Sequence, residues 1–434
     1  MGLNALTKMN INRSLVLVSF LVAESVVAAD WPQYRGSHSD GSSAEKISKN
    51  WPEAGLKPVW KVALTDGFSS FSSGSGKVFT LVSRPVEGVK RETVLALDAA
   101  SGKELWTHVL GVSKYLGGGD SGTPENSGGD GPRGTPAFAG GKVYSLSAGL
   151  SLVALDAETG KPAWSKNLVE DHGAKNISWQ NAASPAIDGD LVFVACGGEG
   201  QSLLGIDRST GKVVWKGESD AITHATPVVV TLQGQRQVIF FTQSGLVACN
   251  TSDGKTLWRY KFPFSTSTAA SPVVSGDIVY CSAGYGVGSG AVQVAKGADG
   301  WTATELWRTT GNEICNHWST PVVSEGYLYG MFSFKKYGSG PVKCIEIATG
   351  KEKWSQAGFG AGNMILVDGH LLALGDAGQL VLLKADPAGY RELARTRALT
   401  GKCWSTPIVS NGRIFVRSTK EGAAFDVAPA VTLR

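Results

Sequence analysis

Leu95-Ala-Leu-Asp98-Ala-Ala-Ser-Gly102-Lys-Glu-Leu-Trp106 is the first full copy of a phrase that returns along most of the chain. It comes back as Val153-Ala-Leu-Asp156-Ala-Glu-Thr-Gly160-Lys-Pro-Ala-Trp164 and as Leu204-Gly-Ile-Asp207-Arg-Ser-Thr-Gly211-Lys-Val-Val-Trp215. Weaker copies end at Trp258 and Trp354, and Trp60 and Trp307 keep the same beat without the full phrase. These seven tryptophans recur at roughly fifty residues. An apolar run, a turn signal and a second short run make a β-hairpin. A fixed period of this length built from hairpins means small sheets arrayed in a ring.

A second phrase precedes each tryptophan phrase: a small hydroxyl residue, Pro, an apolar run, a Gly-containing turn and another strand. It stands at Thr135-Pro136, Ser184-Pro185, Ser271-Pro272, Thr320-Pro321 and Thr406-Pro407. One unit is therefore four strands, here A to D, with D ending near the tryptophan. Strand A begins near Phe71, Pro136, Pro185, Pro227, Pro272, Pro321, Met364 and Pro407, which makes eight units. The last unit has no strand D, while Trp60 has no strands A to C before it. The two fragments complete each other. The expected fold is all-β, an eight-bladed propeller over residues 58–428, closed by an N-terminal strand so that no sheet edge stays free.

The two phrases together resemble the pyrroloquinoline-quinone (PQQ) propeller repeat, from Trp60 to Val427. Two branches share that repeat. One holds PQQ-dependent alcohol and sugar dehydrogenases; the other holds non-catalytic propellers such as the outer-membrane barrel-assembly lipoprotein BamB. The opening Trp31-Pro-Gln-Tyr-Arg-Gly36 also resembles the start of many exported proteins of this repeat class. The resemblance implies the fold and leaves the chemistry to the site residues.

Outside the repeat, residues 1–29 read as a signal peptide, with Lys8 and Arg13 before the apolar stretch Leu15–Ala23 and small residues up to Ala29. Cleavage after Ala29 and a periplasmic or secreted location are expected. Residues 30–57 form an N-terminal extension whose seating the sequence leaves open, and residues 429–434 a short tail. No later segment has the roughly 18 apolar residues of a membrane span. The net charge of +4 on 434 residues, with no dense basic run, argues against nucleic acid. Six cysteines fall in different repeats without CxxC or CxxCH, which reads as buried free thiols and excludes attached c-type haem.

The repeat sorts scaffold from site. Trp60, Trp106, Trp164, Trp215, Trp258, Trp307 and Trp354 are expected to pack blade on blade, each burying about 200 Å² and contributing several kcal/mol. Asp98, Asp156 and Asp207 sit at turns and never converge. What stays unexplained lies just before strand A, on the channel face that also carries the B-to-C connections. The candidate ligand-binding residues at that mouth are Phe68, Arg133, Trp179, Asn181, His224, Thr268, His317, Trp318 and Trp404. Long connections at Ser83–Glu92, Gly117–Gly134, Ala283–Gly290 and Ser333–Pro341 open on the same face, where binding residues are often placed.

The resemblance implies, for a dehydrogenase, a quinone stacked on a tryptophan opposite a vicinal disulfide, Ca²⁺ on carboxylate and amide oxygens, and an Asp base. Trp179, Trp318 or Trp404 would stack, Arg133 would pair with a quinone carboxylate and Asn181 would be a metal ligand. Adjacent cysteines are absent, and the acidic candidates are only Asp171, Asp220 and Glu313. The expectation is a monomeric, exported, non-catalytic propeller that binds an envelope protein, or a small ligand or glycan, through this face. The alternative is a dehydrogenase with PQQ and Ca²⁺ at the same place.

Overall fold

The computed structural model describes residues 1–2, 29–112, 131–266, 268–332 and 334–430. Residues 3–28 of the expected leader, most of the Gly117–Gly134 connection and the last four residues lie outside them. Eight sheets surround a central channel, each with a short inner strand A and a solvent-facing strand D. The inner strands run Ser72–Gly74, Ala137–Ala139, Ala186–Asp188, Val228–Leu232, Val273–Ser275, Val322–Ser324, Asn363–Val367 and Ile408–Ser410. These open blades one to eight. The only helix among the described residues is the single turn Leu168–His172, between blades two and three.

The ring closes as the sequence requires. Pro58–Ala63 joins Glu421–Asp426 antiparallel, with Trp60 opposite Ala424 and Val62 opposite Gly422. Blade eight is thereby made from both ends of the propeller, and neither end leaves an open edge.

The repeat phrase has a physical meaning at the blade seams. The Trp60 indole donates to Ala99 O of the next blade at 3.0 Å, and Trp106 to Ala157 O at 2.9 Å. Trp164, Trp215, Trp307 and Trp354 repeat the contact with Arg208, Thr251, Ile347 and Asp386. Beneath the ring lies the glycine of the next blade's turn. A Cβ on Gly254, which has φ +72°, would come within 2.5 Å of Trp215. Only glycine both adopts that left-handed conformation without strain and lets the indole lie flat on the backbone. The turn aspartates cap their own turns: Asp207 accepts from Ser209 and Thr210, bonds that hold its carboxyl down at about 2.

The hydroxyl before the strand-A proline also ties blades together. Ser70 N–H donates to Thr135 Oγ1, Thr135 N–H to Ser184 Oγ and Ser184 N–H to Thr226 Oγ1, all within 3.0 Å. Thr406 N–H returns to Ser70 Oγ at 2.8 Å. The relay is broken at blade seven, where Asn363 stands in place of a hydroxyl residue and donates to Trp404 O, and at blade five, where Ser271 Oγ has no partner.

The seam between blades four and five departs from the rule. Blade five has no Thr-Gly turn, and its outer hairpin is lengthened to Gly288–Gly297 and Gly300–Thr309. Trp258 therefore donates within its own blade, to Gln237 Oε1 at 2.7 Å. The lengthened hairpin covers blade four instead: Tyr260 Oη donates to Glu305 at 2.6 Å, and Arg308 lies over the Phe262 ring.

The N-terminal extension enters the channel from the face carrying the A-to-B turns. Trp31 O accepts from Ser73 N–H of blade one and Pro32 O from Phe138 N–H of blade two. Gln33 Oε1 accepts from Ile187 N–H of blade three. The chain then crosses to blade six, where Arg35 donates to Thr320 O and Pro321 O. Ser42 and Ser43 next pair parallel with Leu366 and Val367 of blade seven. Glu45 finally accepts from Asn411 and Gly412 N–H of blade eight. Trp31 is 3% exposed and belongs to the core joining blades one, seven and eight.

Candidate functional site

The extension turns the channel into a cup. Tyr34 is its floor, with Phe68, Arg133, His224, Trp318 and Trp404 around the wall and the Ser/Thr relay below them. Its volume is about 90 Å³, and it opens to solvent at the mouth.

Aromatic rings line the mouth as one arc. Phe68 stacks on Trp404 at 4.8 Å, Trp404 on Trp318 at 5.4 Å, and Trp318 on Phe334 at 5.7 Å. Tyr337 lies against both Trp318 and Trp404. Phe334 meets Tyr285 edge-on at 4.9 Å, and Tyr285 stacks on Trp179 at 6.4 Å. Lys402 sits 4.7 Å above the Trp404 ring and Lys335 4.8 Å above Tyr285. These cation–π contacts make the rim basic.

Two polar wall residues hold the arc in place. Arg133 donates to Trp179 O, and His224 Nε2 is 3.1 Å from Ser178 O. They grip the turn in which Trp179 and Gln180 both have φ near +65° (65° and 63°). Bulky residues rarely adopt that conformation, and it persists where surrounding contacts enforce it. Burial pushes His224 down to about 3, with the Arg133 charge adding to it. Burial also pushes His317 down to about 3, helped by His224 and Lys335. Both imidazoles are neutral at pH 7. At the ring seam, buried Arg417 donates to Thr80, Leu81 and Gly67, fixing the approach to Phe68, and burial lowers it to about 9.

Of the nine residues singled out from the sequence, Phe68, Arg133, His224, Trp318 and Trp404 line the cup. Trp179 and His317 stand on the rim, His317 edge-on to Tyr285 and Trp318. Asn181 and Thr268 do not reach it. Asn181 donates to Ser147 O and Ala183 O and accepts from Ala183 N–H. Thr268 donates to Ser282 O. Thr268 fastens the start of strand A to its own blade, as Thr223 does in blade four, whereas Asn181 ties it to the preceding blade through Ser147 O. Ser83–Glu92 is a correction of another kind: it is the end of a long hairpin, Lys77–Val86 with Val89–Asp98. Tyr34, Phe334 and Lys402 were missed, because they come from the extension, an irregular connection and the approach to strand A.

The residues present do not fit pyrroloquinoline quinone with Ca²⁺. No three His, Cys, Asp or Glu side chains converge on a metal-sized point among the described residues. Asp376, near the cup, accepts from Gly338 and Ala361 N–H. Asp220 pairs with Arg259, Glu313 is an exposed partner of Lys336, and Asp171 lies in the helical turn. Asn181 has its amide committed to backbone. All six cysteines are free and buried, and burial pushes Cys315 and Cys403 up to about 12. Among the described residues, no carboxylate is left to act as base or ligand at the mouth.

A family model described as outer membrane protein assembly factor BamB matches residues 90–333 and 338–432. The factor of that name from Yersinia pestis is 25% identical over 296 residues, covering 65% of this chain and 70% of that protein. The dehydrogenase subunit of the quinone alcohol dehydrogenase of Gluconacetobacter polyoxogenes is 30% identical over 288 residues. That match covers 61% of this chain and 35% of the dehydrogenase subunit. The crystal structure of quinohemoprotein alcohol dehydrogenase from Comamonas testosteroni superposes with a TM-score of 0.61 at 14% identity, over 93% of this chain and 81% of that one. At that identity the likeness concerns the fold alone. The chain belongs to the family described as outer membrane protein assembly factor BamB, built on the PQQ-type propeller.

Proposed function

We propose that this chain is an exported, monomeric, non-catalytic propeller that binds a protein partner in the cell envelope, taking one anchor side chain of that partner into the aromatic cup. The observation that carries this reading is the small volume of the cup beneath its aromatic rim. The cup holds about 90 Å³, against roughly 300–1,000 Å³ for small-molecule sites. A single side chain fits the depth, with the rest of the partner lying across the basic rim. Interfaces are commonly anchored in this way by one residue in a desolvated pocket. The relatives named as assembly factors support a protein partner, and the expected leader supports export. Among the described residues no helix is long and apolar enough to cross a membrane.

A glycan reading is weaker. Sugars need open aromatic faces, while Trp404 is stacked by Phe68 and Trp318 and flanked by Tyr337. The test is a fluorescence-anisotropy titration with extended peptides that carry one Trp or Phe anchor among acidic residues. Saturable binding that requires the anchor and is lost in Trp318→Ala is expected. Reduction of a redox dye by alcohols or sugars after loading with pyrroloquinoline quinone and Ca²⁺ would overturn the reading.

A further inference from the structure

The N-terminal extension occupies only part of the lower channel. Each inner strand ends in a two-residue hairpin whose last pair is hydrogen-bonded, so the preceding residue points its N–H into the channel. Those residues are Ser73, Phe138 and Ile187 in blades one to three, paired opposite Val78, Val143 and Val192. All three N–H groups are taken by successive residues of the extension, Trp31, Pro32 and Gln33, one per blade. The same register in blades five and six points Val274 and Val323 inward, and in blade four, whose inner strand runs two residues longer, the position matching from the strand-A proline is Val229. Because the extension crosses from blade three to blade six, it makes no hydrogen bond to these three. They border a second cavity of about 480 Å³, walled on its other side by Arg35, His38 and Asp40 of the extension.

Arg35 is 3% exposed and donates to three carbonyl oxygens, and among the described residues no carboxylate lies within ion-pair range of it, Asp40 acting on it only from further off. Its Nε hydrogen has no acceptor. A strand residue in this register turns both its N–H and its C=O to the channel, as Ile187 does toward the two ends of the Gln33 amide. The three valines thus offer donors and acceptors together, which calls for a ligand that carries both, such as an extended backbone. The spacing is one donor per blade, the spacing that residues 31–33 already satisfy across the channel.

We propose that this lower half-channel is a docking site for an extended peptide segment of a partner chain, of the chemistry of residues 31–33. Its backbone and side-chain carbonyl oxygens would cap Val229, Val274 and Val323 as Trp31 O, Pro32 O and Gln33 Oε1 cap blades one to three. The site lies on the face opposite the aromatic mouth, so it stands or falls independently of the function proposed there.

The test adds the capped heptapeptide with the sequence of residues 30–36 to the full-length protein and follows amide hydrogen exchange and binding. Slowed exchange at Val229, Val274 and Val323, with Ser73, Phe138 and Ile187 unchanged, is expected. Val274→Pro removes an N–H that the sheet ladder does not use and should fold, since proline is tolerated where the N–H faces away from the ladder. It should weaken the peptide about tenfold, as loss of one buried hydrogen bond does, while Val274→Ala changes binding less than threefold. Val323→Pro supplies the same readout if Val274→Pro does not fold. No protection at millimolar peptide, protection changes confined to blades one to three, or unaltered binding by the proline variant would each overturn the proposal.

Discussion

The outer seams and the channel mouth use the same side chain to opposite ends. At the seams, Trp215 lies flat on Gly254 with its indole N–H bonded to Thr251 O at 2.8 Å. At the mouth, Trp318 is half-buried and touches other rings, with no hydrogen bond to the next blade. A seam tryptophan is locked by backbone geometry that repeats around the ring. A mouth tryptophan is held by neighbours that occur once. The first arrangement supplies cohesion, and the second leaves an aromatic surface open to a partner.

The largest expected effect is at the seam. Trp215→Ala removes a 6% exposed indole and its inter-blade bond, and should cost about 3–5 kcal/mol, read as a fall in the denaturation midpoint with the m-value unchanged. Acidification by a single pH unit below about 6.5 comes next, and it acts on the mouth. His224 and His317 are held near 3 in the folded protein, against an ordinary value near 6.5. Their folded values are depressed, so the unfolded chain binds more protons as the pH falls. Stability is therefore full above about pH 6.5 and declines toward pH 3, by about 1.4 kcal/mol per pH unit for each histidine. Denaturation curves from pH 7 to pH 4.5 would show it, and His317→Gln should flatten the profile by one proton's share. Smallest is Trp318→Ala, which loses ring stacking worth about 1–2 kcal/mol in all. It should instead weaken binding of an anchored peptide at least tenfold. Trp318→Ala unfolding the protein as badly as Trp215→Ala would erase the distinction between the two regions.

Much of the fold is legible along the chain because its causes are local. The Asp-x-x-Gly turn, the following Trp and the Ser/Thr-Pro entry to strand A lie in short windows, and every blade states them again. Trp258 shows the limit. It keeps the beat of the repeat, yet blade five lacks the turn that would receive it, so it bonds Gln237 in its own blade. At the mouth, alignment against strand A located Phe68, Arg133, His224, Trp318 and Trp404. Asn181 and Thr268 stand one position earlier, where the side chain bonds backbone instead of facing the cup, Asn181 that of the preceding blade and Thr268 that of its own. Tyr34 was beyond reach, since it meets Thr320 across a separation of 286 residues.

The sequence by itself determined the ring: eight units, their strand order, the closure through Trp60 and the separation of seam tryptophans from the others. Each follows from short-range patterns that one blade imposes on the next. Only the tertiary structure decided what fills the channel. The extension carries no periodic signal, and its capping partners are backbone groups on six different blades. Those donors exist as a set only once the ring has closed, and so do the cup above the extension and the half-channel below it.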